Sequence, residues 1–494
     1  MMMSRGIRWG FVLCLLLPVS LAAQLRLPGP MSDGMVLQRN AEAHIYGMGT
    51  PGQTVKVVTS WDRRSYSVRP GQDSSWCVAV RTGEAGGPYS VEVRQGRDRR
   101  VIQDVLLGEV WLCAGQSNMQ MPVQGYSSQP VVGSVEAVAV SGRYRNVRLL
   151  QTPRVLRKGP QEDVDARWQH AGPSSVAPFS AVGWFFATRL SEVLGVPVGM
   201  IEADWGATRI EPWMRRESVL AVHASYVPRN ETNVAQAMFD CMIWPYHNYT
   251  VKGFLWYQGE GNKENPEQYA DLMAGMVSDW RAAFGGDASL PFYYVMIAPF
   301  QYDNGRDNTR NGNPGDLAAP LVWEAQQKAL TLIPGSDMAV TTDLGEERFI
   351  HPSRKQEVAD RLLLLALHGT YGDGSEWTTD WRGPLYRSVR FRDGYAEVEF
   401  DSVGTLMPSD PREDGPMLQG FEIAGEDRIF HKASAWVDKT GPYGFTKRVI
   451  IHSTDVPHPV AVRYAFHNLP EASLTNTLGL PAFPFRTDSW NDVQ

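Results

Sequence analysis

The sequence is poor in cysteine, with four in 494 residues. Cys14 lies in an apolar segment near the N-terminus, while Cys77, Cys113 and Cys241 are odd in number and widely spaced. This pattern argues against a disulfide framework, and it lacks the spacing of metal ligands. We therefore expect the fold to depend on its hydrophobic cores, for which 43% apolar residues supply the material.

The sequence also lacks an apolar run of the roughly 20 residues that a transmembrane helix requires. The shorter run 11–17 follows Arg5 and Arg8 and precedes the small-residue segment 20–23, which is the layout of a cleavable secretory signal. We predict that residues 1–23 are removed and that the mature chain is exported to the periplasm or the extracellular space. No transmembrane segment is expected.

Basic residues form no stripe along the chain. Lys and Arg number 47 against 54 Asp and Glu, so the net charge is −7 with both signs interspersed. A nucleic acid is therefore not an expected partner. The length predicts two to four domains, and no internal repeat or low-complexity tract interrupts them. Nothing in the composition indicates an oligomeric state.

Changes in pattern divide the chain into four parts. Residues 1–23 are the signal peptide, 24–105 a small β domain, 106–372 an α/β domain, and 373–494 a C-terminal β region. The strand signals of the first β domain are the runs 54–58, 65–68 and 90–93. In the C-terminal region, two sets of alternating apolar residues indicate strands, namely Ala396, Val398 and Phe400, and Val460, Val462, Tyr464 and Phe466.

Apolar strands alternate with amphipathic helices in the α/β domain. The predicted strands are 109–113, 198–203, 253–257, 292–297 and 338–341. The predicted helices are 183–194, 269–284 and 353–368, each followed by a glycine. This alternation predicts a parallel sheet with helices on both faces and a ligand site beyond the carboxyl ends of the strands. The polar segment 301–314 is predicted to be a loop.

Four turn segments hold the unusual residues of this domain. They are Gly115-Gln-Ser-Asn-Met119, Asp204-Trp-Gly-Ala-Thr208, Gln258-Gly-Glu-Gly-Asn262 and Phe349-Ile-His-Pro352. The first three follow predicted strands, and the fourth lies between the last strand and the last long helix. In a parallel sheet all four meet at one edge.

Such a meeting point would suit acyl transfer. Ser117 would attack a carbonyl carbon, and His351 would take its proton and return it to the leaving oxygen. The oxyanion would be held by the N–H groups of Ser117 and Gly206 and by an amide of Gln258 or Asn262. The helix that starts at this turn would favour the developing negative charge.

Each residue also has a purely structural interpretation. Ser117 alone could be a turn residue or helix cap, and His351 alone could be a helix-entry residue. The polar groups of Gln258, Glu260 and Asn262 could be a hydrogen-bonded loop network. The catalytic interpretation is favoured because four independent turn signals are predicted at one edge of the sheet.

Several motifs closely resemble the sialate O-acetylesterase family of SGNH-type serine esterases. They are Gly115-Gln-Ser-Asn-Met119, Trp256-Tyr-Gln-Gly-Glu260 with Asn262, Ile350-His-Pro352 followed by Lys355-Gln-Glu-Val358, and C-terminal segments such as Gly420–Gly425 and Pro459–Tyr464. The resemblance implies the three-layer SGNH fold and hydrolysis of sugar O-acetyl esters, traditionally tested on 9-O-acetylated sialic acids. It also implies an acetyl-serine intermediate and no metal or cofactor. On this resemblance Ser117 is the nucleophile and His351 the base.

Two positions depart from the family pattern. Related esterases usually carry an aspartate three residues before the histidine, where this chain has Arg348, which cannot accept a hydrogen bond from the ring. Either a displaced acid among Glu346, Glu347 and Asp343 orients His351, or a backbone carbonyl does. The second departure is Ala207, where relatives often have glycine. Glu260 is expected to brace its loop rather than react.

Three alternatives to a sialic acid esterase stay open. The same serine chemistry could act on acetylated plant or bacterial polysaccharides. The missing aspartate also allows a noncatalytic sugar-binding protein with a vestigial site. A glycoside hydrolase using Glu260 is less well supported, because no partnering acid stands out by position.

Overall fold

A computed structural model describes residues 25–302, 317–372, 381–401, 404–408, 417–440 and 446–490. The predicted signal peptide and most of the predicted loop 301–314 lie outside these ranges. Within them, no helix is both long and apolar enough to cross a bilayer. Cys77, Cys113 and Cys241 are all free thiols.

The N-terminal region is built from short strands, most of which pair antiparallel. They are β1 (Val36–Gln38), β2 (Glu42–Met48), β3 (Val55–Thr59), β4 (Ser65–Val68), β5 (Ser75–Arg81) and β6 (Gly86–Gln95). β2 pairs with β5, and β3 lies between β4 and β6. Alternation places Val55 and Val57 in the core while the residue between them is exposed. The three strands predicted in this region are confirmed as β3, β4 and part of β6.

One long strand, β7 (Asp98–Gly115), connects this region to the α/β domain. It pairs parallel with β1. Its first half pairs antiparallel with β6, and its second half lies between two parallel strands of the central sheet. The domain boundary predicted between residues 105 and 106 therefore falls inside a continuous strand. The second half of β7 is fully buried and therefore mostly apolar, which explains why the sequence predicted a strand only at 109–113.

The central sheet continues with six further strands. They are β8 (Val147–Gln151), β9 (Gln169–His170), β10 (Val198–Asp204), β11 (Gly253–Tyr257), β12 (Phe292–Val295) and β13 (Ser336–Ala339). The order is β13-β12-β11-β7-β10-β8-β9, and every neighbouring pair on this path is parallel except β8 and β9. The predicted parallel sheet is confirmed.

Helices cover both faces of this sheet. They are α1 (Ser117–Gln120), α2 (Ser134–Val140), α3 (Pro173–Val176), α4 (Ala181–Leu194), α5 (Arg216–Val222), α6 (Tyr269–Ala283), α7 (Ala318–Leu332) and α8 (Lys355–Ala366). α4 and α8 share one core with Trp111 and Leu255, while α6 and α7 share another with Leu112 and Trp256. Successive strand residues thus face opposite layers, and the three-layer prediction is confirmed.

The C-terminal region forms two four-stranded sheets and a short pair around a third core. Its strands are β14 (Leu385–Arg392), β15 (Tyr395–Asp401), β16 (Met407–Pro408), β17 (Phe421–Ala424), β18 (Phe430–Lys432), β19 (Ser434–Val437), β20 (Arg448–His452), β21 (Ala461–Tyr464), β22 (Leu474–Thr475) and β23 (Phe485–Arg486). The predicted inward residues are buried, except that Val460 lies before β21 and is 38% exposed.

Three strands end at the same level of the central sheet. Gly115, the last residue of β7, is in register with Asp204 on β10 and with Tyr257 on β11. Each of these three strands is followed immediately by a turn, so the three turns begin side by side. The prediction that these turns meet at one edge is confirmed.

Candidate active site

Ser117 lies on a turn that only glycine can enter. Gly115 has φ +144°, and a Cβ there would lie 2.2 Å from the carbonyl oxygen of Tyr257. The chain therefore passes close against β11 and turns sharply, which leaves Ser117 half-buried as the first residue of α1. Because α1 is a single turn of four residues, it lacks the dipole of a long helix.

The neighbouring turns are hydrogen-bonded to the serine turn. The Trp205 N–H donates to the Gly115 carbonyl at 2.9 Å. From the other side, the Gln116 side-chain oxygen accepts from the Gly261 N–H at 3.1 Å. A Cβ on Gly206 would lie 3.4 Å from the Ser117 Cβ, so this glycine packs directly against the serine. The three segments form one connected site.

His351 is oriented by a glutamine. The ring Nδ1 lies 2.8 Å from the Oε1 of Gln129, which is 222 residues away in the chain. An amide oxygen only accepts, so Nδ1 carries the hydrogen and Nε2 keeps the lone pair that a base needs. Tyr126 adds an edge-on ring contact at 5.1 Å, and its hydroxyl donates to the Ser117 carbonyl at 3.0 Å.

The acids predicted as partners of His351 are engaged elsewhere or exposed. Glu346 accepts from the Ser353 N–H at 2.7 Å and from its hydroxyl at 2.6 Å. Asp343 forms a salt bridge with Arg361 at 2.6 Å, and Glu347 is exposed. The structure therefore differs from the expectation of an acid or a backbone carbonyl, because a neutral side-chain amide occupies the position at Nδ1.

Two of the predicted oxyanion donors have structural partners instead. The Gln258 amide nitrogen donates to the Thr208 carbonyl at 3.1 Å and to the Asn262 side-chain oxygen at 2.9 Å, which uses both of its hydrogens. The Asn262 amide nitrogen donates to Glu211 at 3.0 Å. Both side chains are buried, so they brace the turn as a hydrogen-bonded network.

The Gly206 N–H also has a partner within the protein. It donates to the side-chain oxygen of Gln120 at 2.6 Å, beside Ser117. The acceptor position that an oxyanion would take is thus filled by an amide oxygen from α1. The next residue, Ala207, is exposed and has φ +59°, a left-handed conformation that glycine adopts more readily than alanine.

Burial and charge keep His351 neutral. Burial, together with the nearby Lys355 ammonium, lowers the pKa of His351 to about 4. Because Gln129 is uncharged, no carboxylate at Nδ1 counteracts this shift. The ring is therefore mostly unprotonated above about pH 4.

Sequence reasoning missed three participants in the site. Gln129 and Tyr126 lie in a loop without a strand or helix signal, and only the tertiary contact with His351 reveals them. Asn118 lay within a quoted motif, but nothing in the motif showed that its amide donates to Glu260 at 2.5 Å and to the Ile350 carbonyl at 3.0 Å. The expected bracing role of Glu260 agrees with this contact.

The chain matches known proteins over most of its length. A family model described as "Carbohydrate esterase, sialic acid-specific acetylesterase" matches residues 107–343. The sialate O-acetylesterase of Pongo abelii is 31% identical over 428 residues, covering 78% of this chain and 79% of the relative. The chain belongs to the sialate O-acetylesterase family. It is therefore a carboxylic ester hydrolase.

Further similar proteins support the same assignment. The human sialate O-acetylesterase is 30% identical over 428 residues, with 78% of this chain and 79% of the relative covered. A crystal structure of a carbohydrate acetylesterase from Xanthomonas citri is 33% identical and superposes with a TM-score of 0.83. It covers 94% of this chain and all of its own, so the likeness includes the flanking β regions of this sialate O-acetylesterase family member.

Proposed function

We propose that this enzyme removes O-acetyl groups from sugars through an acetyl-serine intermediate. The Ser117 hydroxyl attacks the acetyl carbonyl carbon while Nε2 of His351 takes its proton. The bond to the sugar oxygen then breaks, and that oxygen leaves with the proton. Water repeats the sequence on the acetyl-serine and releases acetate. The observation that carries this proposal is the contact of Gln129 with Nδ1, which leaves Nε2 as the base.

The oxyanion is held by backbone donors in this proposal. Ser117 and Gly206 are packed together, and their N–H groups are assigned as the donors to the oxyanion. The oxyanion replaces the Gln120 side-chain oxygen at the Gly206 N–H, because both are acceptors for the same hydrogen. A charged acceptor forms the stronger bond, which favours this exchange in the transition state.

O-acetylated sialic acids are the proposed substrates. Support comes from the description of the matching family and from the names of the mammalian relatives. A second candidate is an acetylated plant or bacterial polysaccharide, because the structural neighbour from Xanthomonas citri is described more broadly as a carbohydrate acetylesterase. Acetate release from O-acetylated sialoglycans and from acetylated xylan, measured side by side, separates the two.

The catalytic assignment is tested with a chromogenic acetyl ester. Ser117→Ala and His351→Ala should each lower kcat by at least about a thousandfold, as for members of one catalytic unit. Ser278→Ala and His458→Ala are matched controls on exposed side chains and should retain wild-type rates. A covalent adduct of an organophosphonate with Ser117 is also expected. Wild-type turnover in Ser117→Ala contradicts the proposal, and sugar binding without labelling favours a noncatalytic protein.

Export of the mature chain is part of the proposal. It is supported by the arginines and short apolar run of residues 1–23. Mass spectrometry of the protein recovered from its native host should find an N-terminus near Gln24 in the periplasmic or secreted fraction. A full-length chain confined to the cytoplasm contradicts it.

A further inference from the structure

A lysine is buried beside the catalytic turn. Lys355, the first residue of α8, has no exposed surface, and its Nζ donates to the Asn118 side-chain oxygen at 2.5 Å. The same Nζ lies 5.4 Å from the centre of the Tyr257 ring. Burying an ammonium group costs several kcal/mol unless it is paired, so a lysine here requires a compensating role.

The Asn118 amide joins the two halves of the catalytic pair. Its oxygen accepts from Lys355, and its nitrogen donates to Glu260 at 2.5 Å and to the Ile350 carbonyl at 3.0 Å. Asn118 follows Ser117 directly, and Ile350 precedes His351 directly. One amide therefore ties the serine turn to the histidine loop.

Charge fixes which way this amide points. Lys355 can only donate, so it requires the amide oxygen on its side, and the Glu260 carboxylate requires the amide nitrogen on the other. A reversed amide would place oxygen against Glu260 and against the Ile350 carbonyl. The buried ammonium and carboxylate thus select the orientation that binds the histidine loop.

We propose that Lys355 is a positioning residue for deacetylation: its ammonium orients the Asn118 amide, which holds the Ser117 turn against the His351 loop. This role rests on the proposed function. Lys355 is fully buried, so no contact with substrate is assigned to it. Its removal should therefore affect the reacting geometry more than substrate binding.

The surroundings of Lys355 make the role visible in a pH profile. Glu260 faces it from the turn after β11, Glu346 and His351 from the loop before α8, and Tyr257 from β11. Burial lowers the pKa of Lys355 to about 7, and the two carboxylates oppose this shift. Below that pKa the ammonium lowers the pKa of His351. Without it, His351 should gain a proton at a higher pH.

The test uses Lys355→Met and Lys355→Gln in the full chain, assayed with the chromogenic acetyl ester across the acidic range. The methionine variant should lower kcat about 10- to 100-fold, the scale of a small misplacement of reacting groups. Its KM should stay within about twofold. The acidic limb of its pH–activity profile, where activity falls as His351 gains a proton, should move to higher pH. Lys328→Met, on an exposed lysine, is the control and should match wild type.

The glutamine variant separates orientation from charge. Its side-chain N–H can still donate to Asn118, so its kcat should lie closer to wild type than that of Lys355→Met, while its acidic limb moves equally. If the methionine variant does not fold, the test rests on the acidic limb of the pH–activity profile of Lys355→Gln. Folded variants that keep the wild-type kcat and the wild-type acidic limb contradict the positioning role of Lys355. The same holds if only the melting temperature changes. Activity in Ser117→Ala overturns the proposed function instead.

Discussion

At the scale of single residues, the site replaces the expected acid with an amide. Gln129 orients His351 through Nδ1 but carries no charge to stabilise an imidazolium. A carboxylate in that position does both. Burial and the Lys355 ammonium hold the pKa of His351 near 4, so the ring is neutral in mildly acidic as well as neutral surroundings.

Gln129→Glu should change the pH dependence of the enzyme. A carboxylate beside Nδ1 favours the protonated ring and raises the pKa of His351. Because the base acts only when neutral, activity is lost as pH falls through that pKa, so the acidic limb of kcat/KM should move to higher pH. The check is a profile of kcat/KM for the acetyl ester recorded from about pH 3 to 8, a range that includes the ordinary histidine pKa of about 6.5.

Gln129→Ala separates orientation from charge at the same position. It should lower kcat because the ring is no longer held, yet leave the acidic limb near its wild-type pH because no charge is added. An unmoved limb in the glutamate variant would show that Gln129 does not contact His351 during catalysis.

At the scale of elements, the end of β7 determines where Ser117 lies. Gly115→Ala would drive a Cβ into the Tyr257 carbonyl at 2.2 Å. The Tyr257 carbonyl is part of β11 and cannot move aside easily, so the serine turn must shift instead. This shift should lower the unfolding free energy by at least about 2 kcal/mol. It should also remove most esterase activity. Urea denaturation and the acetyl ester assay measure the two effects.

Gly133→Ala is the matched control for this substitution. Gly133 has φ +78°, and nothing lies within 4 Å of a Cβ there. It should therefore show only the penalty of a left-handed alanine, about 1 kcal/mol, with normal activity. Equal losses in both variants would mean that backbone conformation, rather than contact with β11, explains Gly115.

Elements with a regular apolar pattern were predictable, whereas β8 and α7 each contain a residue that interrupts the pattern. α4 and α6 begin within two residues of their predicted starts, and β11 matches its prediction. β8 was missed because Arg148 interrupts its apolar run; the guanidinium is buried and pairs with Asp104. α7 was missed because Pro320 stands in its first turn, where a helix tolerates proline.

The site was predictable only in part for a related reason. Ser117 and His351 follow strands or precede a helix, so pattern and motif place them. The partner of His351 depends on a contact across 222 residues, and Gln129 belongs to no periodic element. Gln258 and Asn262 were expected to bind an oxyanion because their amides suit it, but the sequence could not show that buried neighbours already use those hydrogens.

At the scale of the whole molecule, three cores are joined through shared elements. β7 belongs to both the N-terminal sheet and the central sheet. The C-terminal region is fastened to α7 by a two-pronged salt bridge from Arg486 to Glu324, with both contacts at 2.8 Å. Asn468 also bonds the backbone of Phe300 and Ala319. These connections favour a single rigid frame around the site.

The continuity of β7 has a measurable consequence. Separating β6 from β7 exposes a strand that also carries the catalytic turn, so the N-terminal sheet should not open independently. Native-state hydrogen exchange should show β6 and β11 amides losing protection at the same denaturant concentration. Exchange of β6 at a clearly lower concentration would show that the N-terminal region unfolds alone.

The most direct test of the account is to trap the covalent intermediate. Enzyme mixed with an O-acetylated sialic acid, quenched within one turnover and digested, should yield an acetylated peptide containing Ser117. The label should disappear in Ser117→Ala and form far more slowly in His351→Ala, because the same imidazole activates the serine in the first step. Acetate release at the wild-type rate without a labelled serine, or a label on another residue, would contradict the mechanism.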